Sequence, residues 1–217
     1  MSVYYFFVCL LNFFFLDRDP KECAKHHGDK HLNKMQLEYA QIVSTVFWLI
    51  HEKTPFLDEE TKGKIYKPTH KHHPVVKWAT QSSAHTLMII DVGLALAKEK
   101  EARALIAKRI ANKKWKTTHK STAVLEWIRT HMPRVNSFEL GDMWVDPPAC
   151  MPECLQNKGV DVVDCYRLFY TGYKIRVTGI SWRPYAQEPW FLEECRQRLS
   201  NMPDVEEDIT KQEKKER

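Results

Sequence analysis

The stretch Asp29–Ile50, DKHLNKMQLEYAQIVSTVFWLI, decides the fold class. His31, Leu32, Met35, Tyr39, Ile42, Val43, Val46, Leu49 and Ile50 recur at spacings of three and four. At about 100° per residue they share one broad helical face. Asp29 stands where an N-cap is expected, its carboxylate able to accept from the first free backbone N–H groups. His31 and Glu38 point almost the same way, at the edge of the apolar stripe. A carboxyl group sunk in an apolar seam loses hydration, which favours its neutral form and raises its pKa. That makes a candidate general acid or base, although burial alone does not assign the role.

Working outward, Asp19-Pro20-x-Glu22 carries the marks of a helix start: a cap, a proline at the first position and an acid in the first turn. That short helix is expected to end near Gly28. Downstream, Thr54–Lys71 reads as a polar loop, and Pro74 opens a long helical stretch through Ala97. Further amphipathic pieces cover Ala102–Ala111 and Ser121–His131, the latter stopped by Pro133. Val145–Gly159 reads as a second long loop. Asp161 caps a helix expected to run through Tyr170 and end at Gly172. One more short helix lies between Trp182 and Leu199.

The expectation is therefore an all-α protein: a compact helical domain over 17–200 with long loops. An apolar extension or short strand occupies 1–16, and a charged, disordered tail 201–217. Val3–Leu16 is apolar apart from Asn12, too short to span a bilayer as a helix and a poor signal peptide, so a membrane role is not favoured. The six cysteines are scattered through a chain too large to need disulfide staples, which fits reduced thiols in an intracellular protein. Only 7 glycines among 217 residues argue against a β-sandwich or barrel.

Charge is uneven. From Lys62 to Lys120 there are fourteen Lys and Arg against three acids, whereas the last fourteen residues hold six acids against four bases. A basic middle suits a polyanion, and a solvated helical surface would look the same. Three constellations could carry chemistry. His31 with Glu38 is the first. The second is Tyr66–Pro74, a basic, His-rich loop leading into a helix N-terminus and so a candidate anion site. The third is Cys165–Lys174, whose aromatics interleaved with Arg and Lys suit bases and phosphates, or else pack into the core. Cys23, His27 and His31, spaced by fours, with His70, His72 and His73, resemble zinc ligands in type. The break at Gly28 makes that geometry insecure, and neither a metal nor a cofactor is expected. There is no P-loop, dinucleotide fingerprint or nucleophile elbow.

The order Asp29-Lys30-His31-Leu32 followed by Glu38 resembles the phage-type pyrimidine-dimer DNA glycosylases of the endonuclease V type. The segment Lys71–Pro74 before a helix looks like the start of that family's second helix. Tyr166-Arg167-x-Phe169-Tyr170-x-Gly172-x-Lys174 looks like its C-terminal DNA-contact segment. Phe15–Pro20 together with Asp29-Lys30-His31 is similar to a group of uncharacterised viral proteins associated with that superfamily. The likeness covers roughly Phe13 to Lys174, in short motifs with large insertions between them. It implies an all-α DNA repair enzyme that acts on double-stranded DNA as a glycosylase and AP lyase. In that family an N-terminal α-amine forms an imine with the sugar, and a glutamate, matched by Glu38, stabilises the sugar cation. His31 would support it. Candidate nucleic-acid contacts are Lys30, Lys34, Lys67, Lys71, His72, His73, Lys77, Tyr166, Arg167, Tyr170 and Lys174. The chain departs from the family in carrying about a dozen residues ahead of the matching region. A nucleic-acid-binding protein without catalysis is the alternative.

Overall fold

The computed structural model describes residues 11–51, 59–117, 119–156 and 159–216. It is all-α, with no strand among the described residues. Helix α1 (Pro20–Lys25) starts as the sequence dictates: the Asp19 carboxylate accepts from the amides of Lys21 and Glu22. Helix α2 (Asp29–His51) is the central element and buries fourteen of its side chains. Asp29 is its first residue rather than its cap. The Asp29 amide donates to Ser181 O (2.8 Å) and its carboxylate is taken by Arg103 (2.9 Å).

Helix α3 (Glu59–Lys64) sits inside the stretch expected to be loop, whose residues 52–58 lie outside the described set. The long helix expected from Pro74 is two helices, α4 (Pro74–Ala79) and α5 (Ser83–Ala111). The break is built by side chains. Ser82 caps α5 by accepting from the Ala84 amide, and Thr86 Oγ1 donates back to Ala79 O. The His85 ring bridges Trp78 O (2.8 Å) and the Val145 amide (2.9 Å). Serine and threonine that bond nearby backbone compete with helix continuation. Past the break α5 runs without interruption through the separately expected Ala102–Ala111 piece. It ends at Asn112, which adopts the left-handed conformation (φ 48°) common at helix ends.

Helices α2, α5 and α6 (Lys120–Thr130) meet at Gly93, where an added Cβ would lie 2.7 Å from Leu125 Cδ1, so a larger residue there would force Leu125 to shift. Helix α7 (Val162–Phe169) is capped by Asp161, which accepts from the Val163 amide (2.8 Å). Gly172 does not end it. The chain continues as a π-helical turn, Tyr170–Arg176, because Gly172 is where α8 (Leu192–Ser200) and α9 (Pro203–Glu216) press in. A Cβ there would meet Ile209 at 2.8 Å and Leu199 at 3.3 Å.

Helix α9 corrects the expectation of a disordered tail beginning at residue 201. Val205 and Ile209, four apart, are both buried, and an apolar pair on one face suffices to dock an otherwise charged helix. At the other end, residues 11–16 are extended without a partner strand among the described residues, and they form the centre of the core. Phe13 packs edge-on against Tyr39 (5.3 Å) and stacks near Trp78 (5.9 Å), and Phe14 stacks on His31 (5.2 Å). Residues 1–10, the rest of the expected extension, lie outside the described set. One hydrophobic cluster reaches from Leu11 to Ile209. Among the described residues no helix is long and apolar enough to cross a membrane.

Candidate active site

The extended segment lies against α2 where the ionisable residues are. The Asn12 amide donates to Glu38 Oε2 (2.8 Å), and the Lys34 ammonium, one turn earlier, stands 3.7 Å from Glu38 Oε1. Glu38 is 5% exposed. Burial pushes its carboxyl above the usual range, opposed by the Asn12 N–H and by the charges of Lys34 and Lys174. Lys174, from the π-helical turn, lies over the rings of Phe169 (5.1 Å) and Phe14 (5.7 Å). The structure thus gathers Lys34, Glu38 and Lys174 around Asn12 and Phe14. Asn12 is itself buried, and among the described residues its Nδ2 has no hydrogen-bond partner. The sequence reading missed Asn12, although it is the one polar residue in an apolar run.

His31, the supporting candidate, is enclosed in the core. Its ring is held between Phe14 and the Tyr170 hydroxyl, which lies 2.8 Å from Nδ1. Tyr170 Oη takes the Gly28 amide proton (3.0 Å), so its own proton goes to His31 Nδ1. One turn away His27 completes a second relay. Its Nδ1 donates to Cys23 O (2.7 Å), which leaves Nε2 to accept from Tyr39 Oη (3.1 Å). Burial pushes His31 down to about 2 and His27 down to about 3, the cationic neighbours adding to it. Both imidazoles are therefore neutral at every physiological pH, and His31 Nδ1 serves as the acceptor for Tyr170.

The expected nucleic-acid contacts divide by exposure. Lys30, Lys34, Lys67, His72 and Lys77 are exposed, and Lys71, His73 and Lys174 half-buried. Lys30 is tied to Thr178 O (2.6 Å), and His73 caps α4 by accepting from the Val75 amide (3.2 Å). Tyr166 and Tyr170 are completely buried, which corrects the expectation that they stack on bases. The Tyr166 hydroxyl donates to Pro148 O (2.7 Å). Arg167 is also occupied: it donates to Leu16 O (3.0 Å), pairs with Asp17 (3.1 Å) and lies 4.9 Å from the Trp190 ring centre. An aromatic-basic pattern on a short helix served the core in place of a ligand, because the segment it packs against, Phe13–Asp17, is itself aromatic and acid-ended.

Two shallow clefts open on the surface, and neither is lined by Glu38 or His31. One, of about 260 Å³, lies between Asp17, Arg18, Asp161 and Arg167; the other, of about 320 Å³, between Pro74, Lys77, Trp78, Gln81, Asp146 and Pro148. Among the described residues no group of three or more His, Cys, Asp or Glu is placed to hold a metal ion. Comparison of the chain with protein-family models, with curated proteins and with solved structures returned no match.

Proposed function

We propose that the chain is a DNA N-glycosylase for damaged or modified bases, with Glu38 as its acidic catalytic residue and AP-lyase action as a second step. One observation carries the reading: a buried carboxyl, held by a backbone N–H at 2.8 Å and flanked by the ammonium groups of Lys34 and Lys174. A carboxyl whose neutral form is favoured by burial can protonate a departing base, and once ionised it stabilises an oxocarbenium-like sugar. Exposed Lys30, Lys34, Lys67 and Lys77 supply charge for phosphates. The resemblance in motif order supports the same reading, and the α-amine it invokes falls in the residues outside the described set.

The test is base release from duplexes carrying pyrimidine dimers, abasic sites or modified bases, with borohydride added to trap an imine. The expected result is release by the parent, lowered roughly a hundredfold or more in Glu38→Gln. No release and no trapped adduct on any substrate overturns it. The binding-only reading is favoured by a specific feature, the coverage of Glu38 by Asn12. Under it parent and variant bind duplex alike, with the same salt dependence, and neither releases a base.

A further inference from the structure

The C-terminal end of α5 differs from the rest of the helix. Earlier along it, Ile89, Ile90, Val92 and Leu96 are fully buried. Further on, three large apolar side chains face water: Leu105 is 71% exposed, Ile110 55% and Ile106 40%. Leu105 and Ile106 point away from the side that buries Arg103, Ala104 and Ala107, and Ile110 follows Ile106 one turn later. The three adjoin one another and form one patch. Lone exposed apolar residues are commonplace, whereas an adjoining group marks a contact surface.

The same stretch is strongly cationic. From Ala104 to Lys120 the chain holds six Lys and Arg and no acid. Lys108 to Ala111 complete a full turn and all four are exposed, so no side of that turn lies against the body. Lys113 and Lys114, exposed as well, follow directly. Among the described residues Lys108, Arg109, Lys113 and Lys114 make no ion pair. The tip keeps its shape without them. The Lys113 amide donates to Ala107 O (3.1 Å), and Trp115 packs edge-on against Tyr185 (4.9 Å).

We propose that this end of α5 is a docking surface for an anionic lipid membrane, with Leu105, Ile106 and Ile110 entering the acyl boundary while the surrounding cations stay among the headgroups. Charge and apolar area together select that occupant. Nucleic-acid phosphates would match the cations and leave the apolar patch without a partner. A second copy presenting the same patch would bring like charges together. Helix α9, the acidic segment another copy could offer, buries its Val205 and Ile209 and has only charge to give. An acidic protein surface is best held by Arg, whose fork pairs a carboxylate through two bonds, whereas three of the four cations around the patch are Lys. Lys suits a headgroup layer, because its apolar stem lies along the patch and its ammonium meets a diffuse anionic layer without fixed geometry. Such attachment lies on a membrane and needs no spanning helix. The surface does not involve Glu38 and does not rest on the glycosylase reading.

The experiment sediments the full chain with vesicles of phosphatidylcholine alone and of equal parts phosphatidylcholine and phosphatidylserine. The parent binds the anionic vesicles at least about tenfold more tightly than the neutral ones, and added sodium chloride releases it. Leu105→Gln combined with Ile110→Gln lowers affinity for the anionic vesicles about tenfold or more, with the charge unchanged. Lys113→Ala combined with Lys114→Ala lowers it about twentyfold and flattens the salt dependence. Lys64→Ala, an exposed change on α3, keeps the parent's affinity. All these side chains are exposed, so each variant melts with the parent. No binding of the parent to anionic vesicles overturns the proposal. So does binding that the double change at Leu105 and Ile110 leaves intact, since charge alone would then account for it. Two other outcomes reassign the patch and overturn the lipid. A concentration-dependent dimer abolished by that double change makes it a contact between copies. Tighter binding of a soluble amphipathic peptide of Glu and Leu than of the vesicles makes it a site for an acidic helix.

Discussion

Arg103 and Lys100 stand three residues apart on α5, on the same inward face, and both are buried. Arg103 is 1% exposed and fully engaged. Its Nε donates to Glu99 (2.7 Å), Nη1 to Asp29 (2.9 Å) and Nη2 to Lys25 O (3.0 Å). It thereby fastens α1 and the start of α2 to α5. Among the described residues Lys100 has no such partner, and the charge of Lys116 repels it. The same helix thus carries one cation locked into the fold and one whose stem is buried while its ammonium reaches solvent. The difference teaches that burial of a charge is uninformative until its partners are counted. A satisfied charge fixes architecture, whereas one that reaches water need fix nothing.

The comparison can be broken most directly at Arg103. Arg103→Met leaves Asp29 and Glu99 without their cation, and unfolding in denaturant should show a loss of about 3–5 kcal/mol. A loss under about 1 kcal/mol would mean that the pairing of Arg103 does not hold α1 and α2 on α5. Acid titration tests the other satisfied network. His27 and His31 have folded pKa values far below their unfolded ones, so the unfolded state binds more protons through the interval between. Stability is therefore greatest above about pH 6.5 and falls as the pH drops toward 3. His27→Gln, measured across that range, should flatten the profile.

Tyr170→Phe removes the hydroxyl that joins the Gly28 amide to His31 Nδ1 and strands both groups in the core. A loss of about 1–3 kcal/mol is expected, with base release retained per folded molecule. The smallest change is the most telling. Lys100→Met should cost nothing or raise stability slightly, since it deletes a charge that no described residue balances. A large destabilisation there would show that Lys100 is structural after all and erase the contrast with Arg103. Glu38→Gln makes a parallel case: it keeps an acceptor for the Asn12 amide and removes a buried charge. Greater stability above the range in which carboxyls ordinarily titrate is the expected readout, because the raised pKa of Glu38 opposes folding there.

Much of the helical framework is legible in the sequence. The Asp19 and Asp161 caps, the run of α2 and the extent of α6 follow from local capping and 3.6-residue periodicity, which need no distant partner. The split between α4 and α5 was not legible, because Ser82, Thr86 and His85 are read by neighbours as remote as Val145. The π-helical turn at Gly172 and the docking of α9 were missed for a similar reason: each answers to packing between segments far apart in sequence. At the candidate site, Glu38 was visible as an acid on an apolar face, but its covering by Asn12 was not. Lys100 and Arg103 did carry a local signal, two cations at inward positions of α5 in line with Leu96 and Ala107, and that signal does not say which of them is paired.

The sequence by itself determined an all-α chain, because periodicity and capping act within a few residues of one another. It also placed a carboxyl and an imidazole on the same face of α2. The tertiary structure alone decided what those groups became. It made His31 a neutral ring between Phe14 and Tyr170, turned Tyr166 and Arg167 inward, and gave Arg103 its partners while giving Lys100 none among the described residues. Protonation state and ligand affinity depend on desolvation and on charges a few ångströms away, and those neighbours come from segments that only folding brings together.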